Sequence, residues 1–175
     1  MHQSKQYGVI LIISLVMLLL LTLIAVSGMQ TTTLEEKIAG NKRNRNLAFQ
    51  AAESSLREAE QWIQGSDTAF NPLKLSNGPF QGTDCSNGLC PTTNPAIWAA
   101  ADFNWNLKGR SYAGVLQSIN QQPRYVIELL EQKVNVDSNR MSALFRITAM
   151  AWGSDPSVVV QLQSLYNLKV NSFVY

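Results

Sequence analysis

The stretch VILIISLVMLLLLTLIAV, Val9 to Val26, decides how this chain is built. Only Ser14 and Thr22 interrupt it, and a hydroxyl in a helix can bond back to a carbonyl of the preceding turn. No charged residue falls between Gln6 and Leu34. A helix rises about 1.5 Å per residue and a hydrocarbon core is about 30 Å thick, so the run and its flank suffice to cross a membrane once. A cleaved secretory signal usually has an apolar core of only about 7–15 residues before a small-residue cut site, and Val26-Ser27-Gly28 is a poor version of one. The run starts straight after a short polar leader ending in Lys5-Gln6-Tyr7-Gly8. The expectation is a leader over 1–8, a transmembrane helix over 9–28 and a membrane-anchored protein. The charges do not settle its orientation, because Lys5 on one side faces Lys37, Lys42, Arg43 and Arg45 on the other.

Beyond the anchor about 145 residues remain, enough for one small domain. A net charge of +2 gives no basic field that requires nucleic acid. The single histidine, His2, lies in the leader, so the body has no imidazole for a triad, a metal site or acid/base work. None of the 12 carboxylates sits at motif spacing from a nucleophile, and Glu53, Glu58 and Glu60 read as a solvated helix face. Gly82 and Gly88 stand alone rather than in a phosphate-binding loop. Asp102-Phe-Asn104-Trp-Asn106 opens like a calcium loop, but Leu107 replaces the needed glycine and Ala113 the closing glutamate. These residues point to a non-enzyme that needs no metal or cofactor. Cys85 and Cys90 enclose Ser-Asn-Gly-Leu, which in an extracytoplasmic domain reads as a local disulfide worth about 2 kcal/mol. A reduced pair in a cytosolic protein is the competing reading.

A helical extension is expected over 29–65. Its soft points are Ser27 to Thr33 and Gly40-Asn41, where glycine and β-branched threonine are weak helix formers. Thr33-Leu-Glu-Glu36 fits a capping box if a helix restarts there, and an unbroken helix is equally compatible. Phe49, Ala52, Leu56, Ala59 and Ile63 repeat at helical spacing, Glu53 and Arg57 form an i,i+4 pair, and Gly65 is a natural stop. Unbroken from Val9, this helix would be about 85 Å long. Asn41-Lys-Arg-Asn-Arg-Asn46 reads as a solvated basic turn. The globular domain occupies 66–175. Its first part reads as an irregular connection plugged by aromatics such as Phe70, Phe80, Trp98, Phe103 and Trp105, with a short helix at Pro95–Ala101.

Three β-rich segments close the chain: Arg124–Leu130, Ala143–Trp152 and Ser157–Leu168. In the second, Phe145, Ile147, Ala149 and Ala151 alternate with Leu144, Arg146 and Thr148. Gly153-Ser-Asp-Pro156 joins the last two as an antiparallel hairpin, and the helix around Phe49–Ile63 covers the apolar face. The fold class is α+β, a long N-terminal helix on a small antiparallel sheet.

Polar leader, glycine, apolar helix, amphipathic extension and small sheet resemble the layout of type IV pilins and pseudopilins. Thr33-Leu-Glu-Glu-Lys-Ile-Ala-Gly-Asn41 and Asn46-Leu-Ala-Phe-Gln-Ala-Ala-Glu-Ser-Ser-Leu-Arg-Glu-Ala-Glu60 resemble the N-terminal region of the PilX minor pilins. The matching positions include Glu35, Gly40, Asn41, Ala51, Ala52, Glu53, Leu56, Arg57 and Glu60. Arg146-Ile-Thr-Ala and the run from Gly153 to Tyr166 are also similar to that family, whereas 66–118 is its variable region. The resemblance implies cleavage by a prepilin peptidase between Gly8 and Val9 and methylation of the new Val9 amine. It implies residence in the inner membrane with the globular domain in the periplasm, then assembly into a pilus. The implied partners are membrane lipid, the inner-membrane assembly platform, the major pilin, other minor pilins and a tip adhesin, in a complex that primes assembly. Most pilins carry Glu at the fifth mature position; this chain has Ile13, and the K pseudopilin of type II secretion similarly lacks the acid. Two other classes stay open: a signal-anchored periplasmic envelope or binding protein that is never assembled, and a secreted enzyme with an unrecognised site.

Overall fold

The computed structural model describes residues 7–65, 78–138 and 140–170. The leader up to Gln6, the connection 66–77 with Phe70 and Leu73, and the stretch 171–175 lie outside the described residues. Helix α1 spans Tyr7–Gly65, and the chain divides into two compact units, 1–43 and 44–175.

In the first unit the helix runs through each of its weak points. Thr33 lies inside α1, so the restart does not occur. The hydroxyls of Ser14, Thr22 and Thr32 donate to the carbonyls of Leu11, Leu19 and Gly28 at 2.9, 2.8 and 3.2 Å. Such bonds satisfy groups that would otherwise stand bare in hydrocarbon. This helix is long and apolar enough to cross a membrane, and none of its most apolar window is buried by the chain itself.

The second unit holds the rest of α1 and a five-stranded sheet: β1 (Leu89–Cys90), β2 (Arg110–Ser111), β3 (Arg124–Asn135), β4 (Arg140–Trp152) and β5 (Val159–Val170). Strands β3, β4 and β5 form an antiparallel meander, with Ile127 opposite Ile147 and Phe145 opposite Tyr166. Both short strands lie on the far edge of β3, β1 parallel and β2 antiparallel. Strand β3 continues five residues past the expected end, beyond a bulge at Leu129/Glu131, and β4 begins three residues early. Most of the extra residues, Glu131, Lys133, Asn135 and Arg140 among them, are polar and exposed, so the alternation fades there although Met141 is buried; ladder bonds between β3 and β4 hold them. The hairpin through Gly153 to Pro156 is antiparallel as expected. The segment expected as a helix at Pro95–Ala101 is a single 3₁₀ turn, Ile97–Ala99, and a short helix α2 spans Trp105–Lys108.

Met141, Ala143, Phe145, Ile147, Ala149 and Ala151 on β4 are all buried, the face the alternation assigned to the core. Helix α1 covers it with Ala48, Ala51, Ala52, Ser55, Ala59 and Ile63. One expected contact is corrected: Phe49 is 47% exposed, one position off this stripe. The contact stripe is made of small residues, and Ala51 and Ala52 meet Ala151 on the sheet. A ring the size of Phe49 has no place in such a close approach. Cys85, Cys90 and Phe103 pack on Val126, with Ile97, Trp98 and Trp105 at the edges, so the irregular connection caps the opposite face of β3.

Candidate functional site

Gly8 and Val9 stand in the first turn of α1. A side chain at Gly8 would meet nothing within 4 Å, and Val9 and Ile13 are 60% and 55% exposed. Ile13 thus adds to the exposed hydrocarbon surface of its neighbours. Glu35, Gly40 and Asn41 are exposed on the same unit.

From Asn44 onward the helix is tied to the sheet by polar bonds that its sequence does not advertise. Asn44 Oδ1 accepts from Ser154 N at 2.7 Å, Ser154 Oγ at 3.0 Å and Asp155 N at 3.4 Å, which fixes the β4–β5 turn. A side chain at Gly153 would collide with Asn44, so this turn needs its glycine. The carboxylates read as a solvated face are corrected here. Glu58 accepts from Ala113 N at 2.8 Å and Tyr125 Oη at 3.2 Å, and Glu60 accepts from Ser164 Oγ at 3.0 Å. Glu53 pairs with Arg57 as expected, Ala51 and Ala52 are buried, and Leu56 packs against the core. Burial, and then the Glu58 charge, push the Tyr125 phenol well above its ordinary range.

The connection is pinned by the Cys85–Cys90 disulfide, with an S–S distance of 2.07 Å. Asp84 accepts from Cys85 N and from Lys108 Nζ, both at 2.8 Å, and the bond to Lys108 holds its carboxyl below the usual range. Inside the ring Asn87 and Gly88 adopt φ of 48° and 80°, where glycine is at ease. Glu128 is fully buried and accepts from Arg146 Nε at 2.7 Å, Arg146 Nη2 at 2.8 Å and Trp98 Nε1 at 2.8 Å. The Arg146 guanidinium lies 5.9 Å from the centre of the Trp98 ring. Hydrogen bonding to Glu128 raises the Arg146 pKa further. Trp98 therefore covers this ion pair, and Trp105 packs edge-on against Phe103, as expected of aromatic plugs. Asn104, within the calcium-like stretch, caps α2 by accepting from Asn106 N and Leu107 N.

Residues 8–57 match the family described as PilX N-terminal, and residues 65–168 match Type IV pilus assembly protein PilX C-term. The chain belongs to the PilX family. None of the curated proteins and none of the solved structures matches it. PilX membership makes it a type IV pilus minor pilin, a structural pilus component that associates with other pilins and is not of a known enzyme family. The apolar helix together with this membership fits a pilin anchored in the inner membrane. The PilX motif divides between the units: Glu35, Gly40 and Asn41 lie in the first, while Ala51, Ala52, Leu56 and Glu60 lie in the second, where they face the sheet. Sequence reasoning missed Asn44 and Glu58 because each acts on residues about a hundred or fifty positions away. A half-buried polar residue on a helix face offers no local sign of such a partner.

Proposed function

We propose that this minor pilin takes part in priming type IV pilus assembly, within a tip complex of other minor pilins and a large adhesin. Prepilin peptidase cuts after Gly8, Val9 becomes the methylated N-terminus, and the globular domain stands in the periplasm before the pilus receives it. The assembly platform and the major pilin then act on a complex that already contains this subunit. Processing at Gly8 leaves the whole apolar anchor on the mature chain, as a filament built on a helix bundle requires.

Ile13 carries the tip assignment. A carboxylate at mid-membrane costs about 3 kcal/mol on insertion scales, so it is retained where it has a partner. In pilins at large that partner is thought to be the N-terminal amine of a neighbouring subunit. Ile13 avoids the desolvation cost and offers a neighbour's amine nothing. Such a subunit suits a place with no preceding neighbour, which is the tip or the first priming complex. Immunogold labelling of filaments tests this: label at one end, at low copy number, is expected, with loss of pilus initiation on deletion. Label along the shafts at the level of the main subunit contradicts it.

A further inference from the structure

Beyond the contacts that hold the fold, one hollow of the second unit contains a cation that has no ion-pair partner among the described residues. Arg110, on β2, places its guanidinium 4.8 Å from the centre of the Trp62 ring. Among the described residues it has no hydrogen-bond acceptor and no ion-pair partner. The carboxylate in the same hollow, Glu58, makes no ion pair with it and is engaged by Ala113 N and Tyr125 Oη instead. In front of Arg110 the hollow measures about 670 Å³, opens to solvent, and has Gln61, Asn87 and Ser111 among its walls.

Arg110 is also held in place. Its backbone pairs with Tyr125 on β3. The disulfide ring presses on it from the other side, since a Cβ at Gly88 would lie 2.5 Å from Arg110 Cβ. Gly88 N donates to Lys108 O at 2.8 Å, so the ring is bonded to the chain just before β2. A guanidinium stacked on a ring keeps its edge donors, and that planar fork matches the two oxygens of a carboxylate.

The geometry points to this hollow as a receptor for an acidic side chain of a neighbouring pilus subunit. The carboxylate lies against the Arg110 edge, and the neutral amides of Gln61 and Asn87 flank it. Small-molecule sites enclose most of their ligand, whereas this hollow is open on one side and admits a side chain carried on another protein's surface. The choice of a pilus subunit as the source rests on the minor-pilin reading above.

The test uses the full-length protein in detergent micelles, titrated with the capped peptide acetyl-Gly-Glu-Gly-amide. The resonances of the Trp62 indole N–H and the Arg110 Nε–H report binding. Saturable shifts are expected with this peptide and none with acetyl-Gly-Gln-Gly-amide. An ion pair in an open hollow is partly screened by water, so Arg110→Gln should weaken binding about two- to fivefold. Gln61→Glu, an exposed helix substitution that offers Arg110 a carboxylate in place, is expected to weaken binding too and keeps the test open if Arg110→Gln unfolds. A flat titration, equal shifts with the glutamine peptide, or unchanged affinity in these folded variants overturns the receptor. Acetate binding as tightly as the peptide overturns the polypeptide source. If the wild-type chain is absent from sheared pili, the minor-pilin reading fails separately from the titration. A flat titration with the chain present in pili sinks the receptor alone.

Discussion

Asn44 uses one side-chain oxygen to satisfy three donors of the β4–β5 turn. Removing it leaves the exposed Ser154 and Asp155 amides to water, so Asn44→Ala should cost about 0.5–1.5 kcal/mol. Urea unfolding of the full-length protein in micelles, followed by tryptophan fluorescence, reads this as a lower midpoint; an unmoved midpoint would show the clamp to be idle. Tyr125 gives a pH dependence with a definite sign. Its folded pKa is raised above the ordinary value of 10.0, first by burial and then by the Glu58 charge. The folded state therefore holds the proton more tightly than the unfolded chain. That contribution is fully present below pH 10 and is lost as the pH rises above it. The unfolding midpoint should fall on the alkaline side of 10, and less steeply in Tyr125→Phe. Equal slopes in the two proteins would contradict the assignment.

Glu128 and Arg146 join β3 to β4 on the face that the cysteine-pinned connection covers. Breaking a buried ion pair leaves an uncompensated charge, so Arg146→Met alone should cost about 3–5 kcal/mol. Arg146→Met with Glu128→Leu removes both charges and should recover part of that loss. A double variant as unstable as the single would show that the pair is not the source of the effect. The same elements show what a sequence reader can see. The three long strands and the β4–β5 hairpin were legible, because Phe145, Ile147 and Ala149 alternate and Gly153 to Pro156 is strong turn chemistry. The mostly polar ends of β3 and β4 were not, since their ladder bonds depend on the partner strand rather than on side-chain pattern. Strands β1 and β2 are two residues each, and only the disulfide ring and α2 bring them to β3. Along α1, Ala52, Ala59 and Ile63 meet the sheet as their spacing predicts and Phe49 does not, because hydrophobic size is no guide to burial at so close a contact. The contact selects alanine and serine instead. The candidate site divides in the same way. The apolar anchor and the Gly8/Val9 junction stand out in composition, whereas Arg110 over Trp62 joins residues 48 positions apart and leaves no local trace.

At the scale of the molecule, one polypeptide carries two kinds of surface. The first unit exposes the most apolar window of α1 among the described residues, and the second buries a conventional core between its part of α1 and the sheet. Together with membership of the PilX family, this accounts for a protein held in a membrane and then passed to a pilus. The central claim is that the anchor stays on the mature subunit after the leader is removed. N-terminal mass spectrometry of the protein recovered from sheared pili tests it most directly. The predicted result is a mature chain that begins at Val9 and carries one methyl group on its amine. An intact leader in the filament, a mature N-terminus beyond Gly28, or absence of the chain from the sheared pili would contradict the account.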